Sequence, residues 1–192
     1  FISGAEFICG HNVIHHDLKY LQAAIGKELN IKVIDTLYLS PLLFPKRPYH
    51  SLLKDDKLQT EELNNPVNDS QKAQKLFYDE VNAFFALPAQ IKRIFCCLLY
   101  PHKEFVGFFD YVNFKPYNAD LPTLIHHTFE EKLCANADLG PLIRHYPVEL
   151  AYALAWIRAD DPYSLTPPWL LHNFPKIENV LKYLRNTRCE QG

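Results

Sequence analysis

The sequence predicts a small α/β layer at the start of the chain and an all-α region after it. Three features indicate this: apolar residues at helical spacing within residues 12–25, a β-branched and aromatic run at residues 30–40, and aromatic-rich helical stretches after residue 87. A helix followed by a strand is typical of an α/β sheet. We therefore expect an α/β domain at residues 1–87 and a helical connector region at residues 88–192.

The first predicted helix starts at Asn12, which is a suitable N-cap, and stops at Gly26. One of its faces is apolar: Ile14, Leu18, Leu21 and Ile25. Asp17 lies at the margin of this face, and burying a carboxylate without a partner is costly. Asp17 is therefore interpreted either as a hydrogen-bonded or solvent-edge residue or as part of a functional site.

The run NIKVIDTLYLS at residues 30–40 predicts a strand that ends near Pro41. The residues that follow, 41–65, are polar and rich in proline, which predicts a long loop or a broken helix. Helix and strand together favour a sheet with helices packed beside it.

A second helix is predicted to open at Asn65-Pro66, where a cap residue precedes a first-turn proline. Its inward face consists of four residues: Ala73, Leu76, Phe77 and Phe84. Asp69 is four residues before Ala73 and lies in the same helical direction. A second carboxylate is thus expected on the core-facing side of a helix.

Beyond residue 87 the strand signals fade, and helical stretches alternate with proline-marked turns. These stretches are PAQIKRIFCCLLY, TLIHHTFEEKLCANA, PVELAYALAWIRA and PKIENVLKYLRN. No GxxxxGK[ST] phosphate loop occurs in the 192 residues, so this chain does not bind ATP by that route.

Composition narrows the class of protein. With 48% hydrophobic residues the chain can form a packed core, and no apolar run approaches the roughly 20 residues of a membrane span. No basic-then-apolar signal sequence is visible. The five cysteines are odd in number and lack CxxC spacing, which favours reduced intracellular thiols over a zinc module complete within this chain. Cys189, next to the end, is the exception, since it could share a site with ligands beyond it. We expect a soluble cytoplasmic protein that does not bind membranes.

The net charge of −2 excludes a surface that is basic throughout, so nucleic-acid contacts are expected only at a groove or through metal ions. Small basic clusters, such as Lys92 with Arg93, are interpreted as solvated surface. The chain starts at Phe1, contains no methionine and stops at Cys-Glu-Gln-Gly. We interpret it as a piece of a longer protein.

Three segments together resemble a known family. GHN followed by Asp17, then the IDTL segment, then Asp69 within NDSQKAQKLF, are similar to the second and third motifs of DEDD-type 3′→5′ exonucleases. The resemblance covers residues 5–86. It implies a ribonuclease H-like fold in which four acidic residues hold two divalent metal ions, Mg²⁺ or Mn²⁺. Two such ions activate the attacking water and stabilise the leaving 3′ oxygen, and hard cations prefer carboxylate ligands.

On this resemblance Asp17 and Asp69 are catalytic residues and metal ligands, and Asn12 is a cap or a substrate-binding donor. The family's first motif, Asp-x-Glu on the opening strand, occurs nowhere in this sequence. That strand is expected upstream of Phe1, so the fold is predicted to be partial, with its N-terminal strands absent.

The general base of the family is a histidine five residues before the last aspartate, and Asn64 stands there in this chain. His50 offers a His-x4-Asp pattern with Asp55, but the helix signal is better after Asp69. Asp69 is therefore preferred as the ligand. His50 remains a candidate catalytic base that a loop would bring back to the site.

The segments PYHSLLKDDKLQTEELNNPVNDSQKA, PVELAYALAWI and SLTPPWLLHNFP resemble the region in front of the motor in bacterial RecQ-like ATP-dependent DNA helicases. This implies a helicase motor in the same polypeptide, a role in DNA processing and repair, and single-stranded or 3′-ended DNA as the partner. The leading hypothesis is a metal-dependent exonuclease domain whose isolated chain is nearly inactive. The alternatives are a non-catalytic nucleic-acid-binding module on the same scaffold and a protein-interaction helical domain.

Overall fold

The computed structural model describes residues 4–25, 31–47, 66–160 and 166–186. The described residues are mostly helical and include a two-stranded parallel sheet. In chain order the elements are β1 Phe7–Gly10, α1 Leu18–Ile25, β2 Lys32–Asp35, α2 Thr36–Leu43, α3 Pro66–Ala86, α4 Ala89–Leu99, α5 Val106–Tyr111, α6 Leu121–Thr128, α7 Leu139–His145, α8 Pro147–Ala159, α9 Pro168–Asn173 and α10 Ile177–Asn186. The ribonuclease H-like assignment stays a prediction.

The outer edge of β2 is covered by helix α5. The backbone N–H of Lys32 donates to the carbonyl oxygen of Glu6 at 3.0 Å, so the polar backbone groups of Lys32 face β1. Those of the next residue, Val33, therefore point away from β1. Gly107 of α5 lies against them, and a Cβ atom added to Gly107 would overlap the Val33 carbonyl oxygen. Only glycine allows so close an approach of helix and strand.

Helix α8 lies at the centre of the core. Nearly all of its residues from Val148 to Ile157 are buried, as expected for a helix surrounded by other elements. One cluster of buried side chains extends from Ile34 in β2 through α8 to Leu184 in α10. The helices after residue 87 therefore share a core with the sheet and α2, and the predicted boundary falls in the turn between α3 and α4.

The prediction that the first helix begins at Asn12 is wrong, because α1 begins at Leu18. Residues 11–17 form turns instead, and Asn12 has a φ of 64°. Asparagine tolerates this left-handed backbone better than most residues, whereas an N-cap is normally extended. A carboxylate on β2, described below, holds the turn in this conformation.

The prediction of a strand over residues 30–40 is also wrong beyond Asp35. The strand β2 ends at Asp35, and the helix α2 follows at once. The side chain of Asp35 accepts a hydrogen bond from the N–H of Leu37 and so caps α2. This cap and the burial of most of α2 outweigh the β propensity of the segment, and Pro41 lies inside the helix.

Helix α3 confirms the prediction of a helix after Asn65-Pro66, since Pro66, the first described residue of this stretch, is already helical. Ala73, Phe77 and Phe84 are buried as expected, while Leu76 is partly exposed. Asp69 shares the helical direction of Ala73, but it lies in the first turn and is exposed. Its carboxylate is therefore solvated rather than packed in the core.

The later helices agree with the predicted stretches to different extents. Helix α8 covers the whole of PVELAYALAWIRA, whereas α6 ends at Thr128, well before the end of its predicted stretch. In the described part of the chain, no single helix is both long and apolar enough to cross a membrane. Helices α3 and α4 meet that test only together, as a pair bent by 119°.

Candidate functional site

The two strands end at the same edge of the sheet, where Gly10 lies opposite Asp35. The turn at residues 11–17 leaves β1 at this edge, and α2 leaves β2 there. Ligands of open α/β sheets bind outside the carboxyl ends of the strands. The edge that carries Asn12 and Asp17 is therefore the candidate site.

Asp35 joins the two strand ends, although the sequence reasoning assigned it no role. Its side chain is 0% exposed. It accepts hydrogen bonds from the backbone N–H groups of Asn12 at 2.8 Å, Ile14 at 3.0 Å and Leu37 at 3.0 Å. Burial raises the pKa of the Asp35 carboxyl, and the three N–H donors oppose that rise. The carboxylate fixes the turn and the start of α2 together.

Thr36 adds a second link between the strand ends. Its hydroxyl oxygen lies 3.3 Å from the carbonyl oxygen of Gly10 and donates to it. Nδ1 of His11 lies 2.9 Å from the same hydroxyl oxygen. Because the hydroxyl has only one proton, His11 donates to Thr36 through a protonated Nδ1.

His15 connects the turn to the helical core. Its Nε2 lies 2.6 Å from the hydroxyl oxygen of Tyr38, and the backbone carbonyl of Tyr38 accepts a hydrogen bond of 2.7 Å from Tyr152 in α8. Trp169 and Phe174 pack edge-on against the Tyr38 ring. Burial raises the pKa of Tyr38 to about 12, so the phenol stays neutral at pH 7. His15 thus has a specific partner on α2.

Replacing Tyr38 with phenylalanine tests this connection. The ring packing is retained and the bond to His15 is lost, so we expect the free energy of unfolding to fall by about 1 kcal/mol. Amide hydrogen exchange at residues 12–17 should become faster. Tyr183→Phe is the matched control, because its hydroxyl accepts from the N–H of Asp138, far along the chain. Equal exchange of the turn in both variants would contradict a link through Tyr38.

The predicted site residues lie in different surroundings. Asn12 is held through its backbone N–H, and its side chain is partly exposed. The side chain of Asp17 is 55% exposed, and its Oδ1 lies 3.3 Å from Nδ1 of His16. Asp69 is exposed in the first turn of α3. His50, like Asp55 and Asn64, lies outside the described residues.

The described residues do not by themselves complete a metal site. Among them, no group of three or more His, Cys, Asp or Glu side chains is arranged to hold a metal ion. Asp17 and Asp69, the two carboxylates that the resemblance predicts as ligands, are both solvated. A metal-dependent step therefore cannot be derived from the described side chains alone, and Mg²⁺ or Mn²⁺ stays a prediction.

Glu80 is a second acid that the sequence reasoning missed. It is fully buried on α3, and in the part of the chain that the structure describes neither of its carboxylate oxygens has a hydrogen-bond partner. Burial raises its pKa well above the usual value, the charge of Asp35 raises it further, and Arg47 opposes the rise. Its spacing offered a signal, since Glu80 is seven residues after Ala73 on the inward face of the helix.

Comparison with protein-family models, with curated proteins and with solved structures found no match to this chain. The functional assignment therefore depends on the motif order in the sequence and on the geometry of the sheet edge. Asp17, its turn and the Asp35 carboxylate are the features that any assignment has to accommodate.

Proposed function

We propose that this chain is part of a metal-dependent 3′→5′ exonuclease that acts on DNA within a longer, RecQ-like helicase. The observation that supports the proposal most is the meeting of two exonuclease-like segments at one edge. The turn that carries Asn12 and Asp17 is joined there to the IDTL segment by two hydrogen bonds, which the backbone N–H groups of Asn12 and Ile14 donate to Asp35. Their order along the chain is that of the family's motifs.

The proposal assigns roles to the predicted residues. Asp17 and Asp69 would hold Mg²⁺ or Mn²⁺ together with the two acids of an Asp-x-Glu strand upstream of Phe1. Both carboxylates are exposed, so ions from solvent can reach them. Asn12 would contact the substrate, and His50 would accept the proton of the attacking water. Single-stranded or 3′-ended DNA in the cytoplasm is the proposed partner.

The test compares this chain with a longer one that includes an upstream Asp-x-Glu strand. Digestion of labelled single-stranded DNA with Mg²⁺ is measured for both. We expect the 192-residue chain to be nearly inactive and the longer one to be active, because half of the ligands come from the upstream strand. In the longer chain Asp17→Asn and Asp69→Asn should abolish digestion, and His50→Ala should slow it by roughly 10² to 10⁴.

Asp120→Asn is the control, because Asp120 is an exposed residue that caps α6. It should leave the rate unchanged. Activity of the longer chain that survives Asp69→Asn would refute the proposal. A second result, rapid digestion by the 192-residue chain alone that Asp17→Asn abolishes, would refute only the need for an upstream strand. The second result would mean that the two metal ligands expected upstream of Phe1 are placed incorrectly.

The second candidate is a non-catalytic nucleic-acid-binding module on the same scaffold. Two observations favour it. Asn64 lies where the exonuclease family has its histidine base. In addition, the described residues contain no group of three metal-ligating side chains. This candidate predicts that the longer chain binds single-stranded DNA and does not cleave it. The digestion assay, run beside a binding assay, therefore separates the two functions.

A further inference from the structure

A segment without regular secondary structure, residues 114–120, contacts one face of α4. The thiol of Cys96 donates to the carbonyl oxygen of Phe114, and that of Cys97 donates to the carbonyl oxygen of Tyr117, each at 3.6 Å. Arg93 and Tyr100 share the helical direction of Cys97, since they are four residues before it and three after it. The segment and this helical face therefore form one surface.

Cations and aromatic rings alternate on this surface. The Arg93 guanidinium lies 5.0 Å from the centre of the Tyr117 ring, and the Lys115 ammonium lies 5.0 Å from the centre of the Tyr100 ring. The Lys92 ammonium donates to the backbone carbonyl of Phe85 at 3.2 Å, which extends the pattern to the end of α3. We call this surface the cationic-aromatic strip: Phe85, Lys92, Arg93, Tyr100, Lys115 and Tyr117.

The strip exposes rings and carries excess positive charge. Phe85 is 52% exposed and Tyr117 is 41% exposed. Lys115 shares the carboxylate of Asp110 with Lys32. Among the described residues, no carboxylate lies within ion-pair distance of Lys92 or Arg93. In a chain whose net charge is −2, this is a local concentration of cations next to accessible π faces.

We propose that the cationic-aromatic strip binds single-stranded DNA. Cations that are not paired with acids attract phosphates, and exposed aromatic rings stack on unpaired bases. A duplex offers the phosphates but keeps its base faces inside, so the alternation fits a single strand better. The residues of the strip themselves indicate a ligand with phosphates and unpaired bases, that is, a single-stranded nucleic acid. The choice of DNA as that nucleic acid rests on the proposed function.

The strip is separate from the candidate site. Lys115 and Lys32 meet at Asp110, and Lys32 is the first residue of β2, whereas the candidate site follows its last residue, Asp35. The strip therefore borders the amino ends of the strands and the candidate site the carboxyl ends. Single-stranded DNA bound to the strip would be held by the helical region, while the proposed cleavage takes place at the candidate site.

The test measures binding of a fluorescent single-stranded oligothymidylate to the full chain by anisotropy, at low salt and with a chelator present. Tyr117→Ala should weaken binding roughly tenfold through lost stacking, while Tyr117→Phe should retain it. Arg93→Ala should reduce the slope of log affinity against log salt by about 0.7, as expected for one lost phosphate contact on a single strand. A duplex of the same length should bind more weakly.

Arg144→Ala and Tyr146→Ala are matched controls, because this exposed cation and exposed tyrosine lie at α7. Both should bind as tightly as the unmodified chain, and circular dichroism should show that every variant is folded. Absence of binding at low salt would overturn the proposal and favour a protein partner for the strip. Equal losses in strip and control variants would overturn it too.

This test and the nuclease test can fail independently. Chelation removes any metal-dependent cleavage, so binding at the strip is measured whether or not the chain belongs to a nuclease. Conversely, a longer chain that digests DNA normally with Tyr117→Ala and Arg93→Ala in place would leave the proposed nuclease intact. The anisotropy result alone decides the role of the strip.

Discussion

Replacing Asp35 with alanine is expected to lower the free energy of unfolding by on the order of 3 to 5 kcal/mol. The substitution leaves the N–H groups of Asn12, Ile14 and Leu37 without their acceptor at a fully buried position. Each unsatisfied buried donor costs about 1 to 3 kcal/mol, and the costs are only partly additive because the turn can move toward water. Urea unfolding followed by circular dichroism measures the change.

Asp138→Ala is the matched control for Asp35→Ala. Asp138 also caps a helix, but it is exposed, and among the described residues only Gly140 donates a backbone hydrogen bond to its side chain, at 3.0 Å. Loss of an ordinary N-cap costs about 1 kcal/mol. If Asp35→Ala were no more destabilising than Asp138→Ala, the idea that Asp35 holds both strand ends together would be wrong.

The stability of the protein is expected to fall as the pH rises above about 4.5, the ordinary pKa of glutamate, because of Glu80. Glu80 keeps its proton in the folded state, where burial raises its pKa, and releases it in the unfolded state. The unfolded state therefore binds fewer protons, and stability decreases by about 1.4 kcal/mol per pH unit until the folded-state pKa is reached. The stabilising effect is complete below pH 4.5 and lost above that higher pKa.

Glu80→Met isolates this effect from other acids. Burial also raises the pKa values of Asp35 and Glu149, which act in the same direction, so the comparison has to be made between variants. We expect Glu80→Met to give a flatter profile of unfolding free energy between pH 5 and pH 8 and a more stable protein at pH 8, since it removes two unpaired oxygens. Glu149→Gln, at a partly exposed position, should change the slope less. Identical slopes for Glu80→Met and the unmodified chain would contradict the buried, protonated state of Glu80.

Elements whose signals are local could be predicted from the sequence. Helix α8 was predicted over its full length, because an apolar stretch that opens with proline and is long enough for a helix needs no distant information. The helix predicted after Asn65-Pro66 is another such case, since α3 covers the described residues from Pro66 to Ala86. The length of β2 could not be predicted in this way, since the β-branched run continues beyond the point at which Asp35 caps a helix.

The candidate site was predictable only in part, for the same reason. The motif order pointed to Asp17 and its turn. The role of Asp35 depends on backbone groups 21 and 23 residues earlier, and that of His15 on a ring 23 residues later. Such contacts exist only once the chain has folded. Asn12, in its left-handed conformation, likewise donates its N–H to Asp35, a partner that its neighbours in sequence do not reveal.

Because Gly107 lies so close to Val33, the sheet can be extended at only one of its two edges. With α5 on the outer edge of β2, a further strand can form a ladder only beside β1. The backbone N–H and C=O groups of Ile8 point toward β2. Those of Phe7 and Cys9 therefore point away from β2, where they can form hydrogen bonds with an added strand. A parallel strand added there would bring its carboxyl end next to Gly10 and the turn that carries Asp17. The direction in which this sheet can be extended thus determines where the proposed Asp-x-Glu strand would enter, and Gly107 sets that direction.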